Sequence, residues 1–382
     1  LRNEAASKIF IRKNKKPWKK GDKFIQKDLA KTLKRIARYG RDGFYKGPVA
    51  KLIENEMKRG NGLITLEDLE NYSSKYRSPV KGTYKNFKII SMGPPSSGGT
   101  LLINMLNMLE FYPMDTIGWN SSDYIHIKTE VERRAYADRA EHMGDPDFWD
   151  VPIDLLTSKR YAEKRIQNIQ LGKATLSSSI SATKNFGYES PETTHYSVVD
   201  QWGNAVSVTT TINLGYGNGC IVDGAGFFLN NEMDDFSSKP GVPNAFGLVG
   251  NEANAIEPEK RPLSSMTPTI VLKNDKPFLI IGSPGGSTII TTTMQTILNV
   301  IDHNMDIKEA VCSARFHSQW LPDVIQFEPN SLTKDVRINL ESKGHKLFPR
   351  SGFIGEANGI LITEDGFYGG GDCRGQTSAI GY

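Results

Sequence analysis

Little in this chain points to a metal, a disulfide framework or a membrane. Its 382 residues hold three cysteines, Cys220, Cys312 and Cys373, an odd number with no CxxC spacing. Neither a disulfide scaffold nor a thiolate zinc site is indicated, and all three are expected to be unpaired and partly buried. The six histidines include no HExxH pair, and His195, His303, His317 and His345 are too scattered to suggest metal ligation. No cofactor is implied. No apolar run approaches the roughly 20 residues needed to cross a bilayer. The opening residues Leu1-Arg2-Asn3-Glu4 are neither a start methionine nor a signal peptide, which leads to the expectation of a piece of a longer precursor. Charge of one sign is scarce: 47 basic against 43 acidic residues leave a formal +4, too small and dispersed to argue for nucleic acid. The one basic run, Arg12 to Lys23 around Trp18, reads as a solvated loop rather than an anionic-surface contact.

What is present is an ordinary globular composition, 38% hydrophobic and 24% charged, long enough for one large layered domain or two average ones. Apolar residues recur at helical spacing from Lys27 to Tyr39, with Gly40 as a stop. Further helices are expected from about Pro48 to Lys58, Leu101 to Leu109 and Asp123 to Ala140, and Thr65 with Asp68 resembles a capping box. Val80 to Met92 alternates and reads as strands with turns. The texture changes after Thr193: Tyr196 to Ile212 is rich in Val and Thr, and Phe227 to Leu229, Thr269 to Leu272 and Phe278 to Ile281 are short β-rich runs. Thr288 to Asp302 and Ile307 to Ala314 return to helical pattern. Strands flanked in sequence by helices suggest an α+β, helix-covered sheet pair. Ala174 to Gly187, rich in Ser and Thr, is the plausible linker.

The chemical signal lies where that linker ends. Thr193-Thr194-His195-Tyr196-Ser197 heads a β-like stretch, and a threonine there becomes a nucleophile if the preceding peptide bond is cut. Its new α-amine then sits beside its own hydroxyl, and an amine of pKa about 7.7–8.0 can accept a proton near neutral pH. Thr211 lies an even number of residues further on, so in an uninterrupted strand it would share a face with Thr193, and Asn213 would share that of Thr211. Read by themselves, Thr193-Thr194 is a plain pair of strand residues, Asn213 a turn former, Glu232-Met233-Asp234-Asp235 a solvated loop and Ser264-Ser265 a turn. Gly282-Ser283-Pro284-Gly285-Gly286-Ser287 lacks the lysine of a phosphate loop.

Together these blocks resemble the γ-glutamyltranspeptidases. Thr193 to Asp200 is similar to that family's self-cleavage junction. Asn230 to Phe236, Lys260 to Met266 and Gly282 to Ser287 follow at matching spacing, while Pro94 to Gly99 and Ala135 to Arg139 resemble large-subunit blocks. The resemblance covers essentially the whole chain. It implies the four-layer αββα sandwich of N-terminal-nucleophile hydrolases, with residues 1–192 as the end of a large subunit and 193–382 as a small subunit, together one domain. It also implies cleavage between Glu192 and Thr193, Thr193 as nucleophile, Thr211 as its support, and Gly285 and Gly286 as oxyanion-hole donors. Asn213 would contact the amino-acid end of the substrate, Glu232 and Asp235 its α-ammonium, and Ser264 and Ser265 its α-carboxylate.

The implied substrates are glutathione and related γ-glutamyl amides, with water, amino acids or peptides as acceptors. An upstream segment of the same precursor would be a partner, bringing the family's usual carboxylate-binding arginine, and location would be periplasmic or secreted. Phe246 falls where many bacterial relatives carry a lid tyrosine, and is read either as a cover over the pocket or as a loop anchor. Two alternatives stand beside this reading: an acylase of the same superfamily acting on glutaryl or poly-γ-glutamyl substrates, and an uncleaved binding protein.

Overall fold

The structure, a computed structural model, describes residues 3–180, 193–239 and 241–381. Glu192, and with it the expected Glu192–Thr193 cut, lies outside the described residues, as does the 181–187 end of the expected linker. The chain divides into two compact units, one of Leu1–Arg77 with Ile212–Asn231, the other of Ser78–Thr211 with Glu232–Tyr382.

Helices dominate the first unit: α1 (Glu4–Phe10), α2 (Lys27–Tyr39), α3 (Asp42–Tyr45), α4 (Gly47–Gly60) and α5 (Leu66–Asn71). The capping box that opens α5 is formed, Thr65 accepting from the Asp68 amide while the Asp68 carboxylate accepts from Thr65, which satisfies two amides a helix start leaves without partners. Val49, Ala50, Ile53 and Leu69 close the core over Val222 and Ala225. Phe227 to Leu229, expected as a strand, makes only an isolated bridge between Ile221 and Phe228; Gly224 and Gly226 at positive φ keep the chain in turns there. The basic run is exposed loop, its Arg12 paired with Asp22 at 2.7 Å.

The second unit starts with β1 (Val80–Tyr84) and β2 (Phe87–Ser91), then α6 (Gly98–Leu109), α7 (Ser122–His142), α8 (Ile153–Leu156) and α9 (Lys159–Ile166). A hairpin of β3 (Thr194–Val199) and β4 (Ala205–Thr210) follows, then β5 (Thr269–Lys273), β6 (Lys276–Gly282), α10 (Thr288–Ile301) and α11 (Ile307–Cys312). The chain ends through β7 (Phe316–His317), β8 (Ile325–Phe327), α12 (Lys334–Ser342), β9 (Leu347–Pro349), β10 (Asn358–Thr363) and β11 (Gly366–Gly371). Strands β1-β2-β5-β6-β10-β11 form one sheet in that order, every neighbouring pair antiparallel.

Strand alternation gives this sheet one fully buried face and one partly buried face. Ile89, Val271, Leu279 and Ile281 share one face by register and are fully buried; Gly82 of that face meets Ile103 of α6. The β3–β4 hairpin packs on the other face, against β6 and β10. Helix, sheet and second sheet thus follow one another in the order the αββα expectation requires. On the hairpin's far side Tyr196, Val198 and Val206 are half exposed. Helix α7 is buried from Tyr124 to Ala140 despite its charges; three of them pair internally, Glu130 binding Arg133 at 2.6 Å and Arg134 at 2.7 Å.

One expectation fails outright. Cys312 and Cys373 are not free but form a disulfide, with Cα atoms 5.2 Å apart across 61 residues of sequence. Spacing could not show this, since it arises where α11 packs on β10 and β11, bringing the residue after the last strand back to the helix end. Cys220 alone remains free and partly buried. Burial and a hydrogen bond to Glu56 at 2.8 Å push its thiol up to about 12, so it is not an activated thiolate.

Candidate active site

Thr193 stands at the open end of the β3–β4 hairpin. The register pairs Thr194 with Thr210 and Val199 with Ala205, so one step further out Thr193 faces Thr211, and their hydroxyls meet at 3.3 Å, Thr193 donating. The two residues therefore share a side, but for a different reason from the one given by parity along a single strand. The chain reverses between them around Asp200, whose carboxylate accepts from the amides of Trp202 at 3.0 Å and Asn204 at 2.8 Å, with Gly203 at positive φ. Cross-strand pairing then restores the shared face.

The hairpin is sutured to the large sheet next to a glycine loop. Ser207 of β4 donates to the Ile281 carbonyl at 3.1 Å and accepts from the Thr269 amide at 3.1 Å. His195, two residues past Thr193 and so on its side of the strand, lays its ring against Gly282. Burial holds that imidazole neutral, its pKa lowered to about 4, and its nitrogens are taken by Thr209 at 2.8 Å and Ser197 at 3.2 Å. It anchors the strand rather than serving as a base for Thr193.

From Gly282 the chain enters Ser283 to Ser287 and then α10. Gly285 has φ +136° and Gly286 φ +58°, conformations a side chain rarely tolerates, and a Cβ on Gly286 would lie 2.5 Å from the Phe246 ring. Gly285's carbonyl is held by the Thr288 amide at 3.1 Å and hydroxyl at 2.7 Å. Among the described residues no carbonyl or side chain accepts from the Gly285 or Gly286 amides, so two N–H groups stand unclaimed just ahead of a 14-residue helix. A helix start favours negative charge. Phe246 is 5% exposed and packs on Gly286, an anchor in contact with the loop.

The acidic and serine segments are joined by one residue that sequence reasoning missed. Asn254 donates to the Asp235 carbonyl at 2.7 Å and accepts from the Leu263 amide at 3.0 Å, holding Glu232–Asp235, a 3-10 turn, beside Ser264 and Ser265. Burial first, then the neighbouring Glu232 and Asp234, raise Asp235 to about 7, against the opposing pull of Arg139; burial raises Glu232 as well. Ser264 and Ser265 are gripped from the start of α6: the Ser97 amide and hydroxyl donate to the Ser264 carbonyl at 2.9 and 2.8 Å. Beneath them lies Arg139 of α7, Nε on the Ser97 hydroxyl at 2.9 Å and Nη2 toward that of Ser265 at 3.4 Å.

Residues 1–382 match the family described as Gamma-glutamyltranspeptidase. The chain belongs to the γ-glutamyltranspeptidase family. It is 48% identical over 375 residues to the glutathione hydrolase proenzyme of Escherichia coli (strain K12), covering 98% of this chain and 64% of that protein. To the proenzyme of the same description from Pseudomonas sp. (strain A14) it is 44% identical, covering 98% and 66%. The chain thus spans about two-thirds of the length of these curated relatives. In fold it resembles the cephalosporin acylase from Bacillus halodurans, with TM-score 0.82 and 24% identity over 98% of this chain and 66% of that one, which bears out the expected α+β fold.

Against this γ-glutamyltranspeptidase framework the second unit carries Thr193, Thr211, Glu232, Asp235, Ser264, Ser265, Gly285 and Gly286, while Asn213 belongs to the first. Asn213 is buried with φ +74° and donates to the Asn231 carbonyl at 3.1 Å. β4 ends at Thr210 and the left-handed turn at Asn213 breaks the alternation, so the expected shared face with Thr211 does not follow. Arg139 and Ser97 sat inside family-like blocks that had been given no role. Neither Asn254 nor the packing of His195 had a sequence signal.

The histidines are less scattered than expected, for His126 and His345 come together with Glu130. Their ring nitrogens are 2.7 Å apart, a hydrogen bond. Two imidazoles on one tetrahedral metal, each about 2.0–2.1 Å from it, would sit about 3.3 Å apart. Glu130 is already taken by Arg133, Arg134 and the Thr175 amide.

Proposed function

We propose that this chain is the catalytic part of a self-cleaving γ-glutamyltransferase and glutathione hydrolase with Thr193 as its nucleophile. The observation that carries the reading is the Thr193–Thr211 hydroxyl pair at 3.3 Å, at the head of a strand whose His195 packs on Gly282, the residue that leads into the glycine loop. In the precursor the Thr193 hydroxyl attacks the Glu192 carbonyl carbon, the C–N bond breaks, and the acyl group moves to oxygen. That cleavage frees the Thr193 α-amine, and water then hydrolyses the ester to the Glu192 carboxylate and the Thr193 hydroxyl, dividing 1–192 from 193–382.

In turnover the α-amine takes the hydroxyl proton as Oγ attacks the γ-carbonyl of glutathione or a related amide. The Gly285 and Gly286 amides hold the developing oxyanion. The C–N bond then breaks, the leaving amine takes the proton back, and water, an amino acid or a peptide releases the γ-glutamyl group. Asp235 and Glu232 accept the substrate's α-ammonium, and Ser264 and Ser265 donate to its α-carboxylate. An upstream precursor segment completes the assembly. The Cys312–Cys373 disulfide supports an oxidising compartment, periplasmic or extracellular.

Thr193→Ala tests the proposal in the full precursor. Gel electrophoresis is expected to show one uncut polypeptide, and hydrolysis of a γ-glutamyl anilide is expected to vanish. Retained hydrolysis by this variant would overturn the assignment.

A further inference from the structure

Among the described arginines, Arg139 has an unusual set of partners. It is 4% exposed, at the inner end of α7, and its two hydrogen bonds go to neutral hydroxyls, Ser97 at 2.9 Å and Ser265 at 3.4 Å. Its buried neighbours on the same helix are matched differently: Arg133 and Arg134 each bind the Glu130 carboxylate, at 2.6 and 2.7 Å. No carboxylate among the described residues lies within ion-pair distance of Arg139. Asp235 acts on it electrostatically without contact, and that acid is itself only partly ionised near neutrality, raised to about 7 chiefly by its burial.

A buried guanidinium without a counter-ion is costly, because transfer out of water is repaid only by a nearby anion or a full set of acceptors. Here the hydroxyls that Arg139 touches are those that build the serine shelf. Ser97 accepts from Nε and passes its own proton to the Ser264 carbonyl at 2.8 Å. Ser265, accepting from Nη2, keeps its O–H free to point away from the cation. Arginine's fork suits this double grip, and its charge polarises the Ser97 hydroxyl toward the Ser264 carbonyl and the Ser265 hydroxyl toward whatever lies above it.

We propose that Arg139 is the built-in counter-charge for the substrate's α-carboxylate, acting through Ser97, Ser264 and Ser265 as a positioning residue that makes this site select acyl groups bearing that carboxylate. The inference rests on the functional reading above for the role of the serines. It differs from a purely structural part for Arg139, in which the cation would merely hold α6 against the serine segment. It also places within this chain a cationic contribution beyond any that an upstream segment supplies.

The test compares L-glutamate with 4-aminobutyrate, which lacks only the α-carboxylate. Calorimetric titration of the full precursor's mature form is expected to show L-glutamate bound at least tenfold more tightly. In Arg139→Met that preference should fall below threefold through loss of glutamate affinity, with 4-aminobutyrate changed less than twofold. Arg139→Lys keeps charge but cannot span Ser97 and Ser265, and should reduce the preference at least threefold; it decides the matter if the methionine variant does not fold. Kinetics should agree, KM rising for a γ-glutamyl anilide but not for a γ-aminobutyryl anilide. Equal loss for both ligands, an unchanged preference in Arg139→Lys, or no preference in the wild type would overturn the proposal. Failure of the wild type to cleave the γ-glutamyl anilide would instead count against the functional reading, while the calorimetry still decides the role of Arg139.

Discussion

Asp235 shows how one partly buried side chain can set a pH response. Its carboxyl is raised to about 7, first by burial, so the acceptor proposed for the α-ammonium carries its charge only above that range. KM for a γ-glutamyl anilide is therefore expected to fall about tenfold between pH 6 and pH 8, the span over which a group of pKa near 7 ionises. Asp235→Asn should flatten this profile and raise KM at pH 8; a KM independent of pH in the wild type would refute the role. The same shift bears on stability. A carboxyl raised on folding stabilises the native state fully below its unfolded pKa and loses that contribution as pH rises through about 7. The asparagine variant should accordingly gain Tm relative to wild type between pH 4 and pH 8, a difference calorimetry can follow. Thr193, Asp235, Ser264 and Ser265 were legible as candidates only through the ordered series of family-like blocks, since residue type and local order alone read as strand, loop and turn. The perturbation of Asp235 was not, since it depends on what is packed around it.

Two elements carry the proposed catalytic groups: the β3–β4 hairpin and the loop that opens α10. Hairpin register, through Thr194 against Thr210, places the supporting hydroxyl of Thr211 opposite Thr193. Thr211→Val keeps the shape and removes the 3.3 Å contact, and is expected to slow self-cleavage about tenfold or more, the scale of one well-placed hydrogen bond, read as precursor remaining on a timed gel. In the loop, Gly285→Ala forces a side chain into φ +136° and turns the amide away from the oxyanion. Its kcat on a γ-glutamyl anilide should drop about 10²-fold, the effect of removing one oxyanion donor, with KM little changed. A wild-type kcat would remove Gly285 from the mechanism. Helices α2 and α10, and strands β5 and β6, were legible from period alone. The hairpin was visible as β-rich texture but not as a reversal, and Phe227 to Leu229 misled because short apolar runs look alike whether they pair or turn.

At the scale of the whole chain, the C-terminal strands complete the six-stranded sheet and the Cys312–Cys373 bridge ties them to α11. Closing a loop of 61 residues removes denatured-state entropy worth about 4 kcal/mol in the chain-entropy estimate. Replacing both cysteines by alanine should lower the denaturant midpoint accordingly. Alkylation of the native protein without reductant should modify Cys220 at most, and three reactive thiols would contradict the bridge. The same corner holds Arg315 on Asp372 at 2.7 Å and Arg374 on Glu328 at 2.6 Å, a buried network that joins segments with no sequence pattern in common.

By itself the sequence determined which residues could do chemistry and where: a threonine ready to head a strand, glycines without Cβ, an acidic turn and a serine pair, set among runs whose period chose helix or strand. Those are properties of neighbours along the chain, governed by residue type and backbone preference. Only the tertiary structure decided that Thr211 faces Thr193, that Arg139 lies under the serines, that Asn254 joins the acidic and serine segments, and that two distant cysteines meet. Each of these contacts spans many residues of chain and exists because sheet register and helix packing bring remote positions within hydrogen-bond or covalent reach, a geometry that no local spacing encodes.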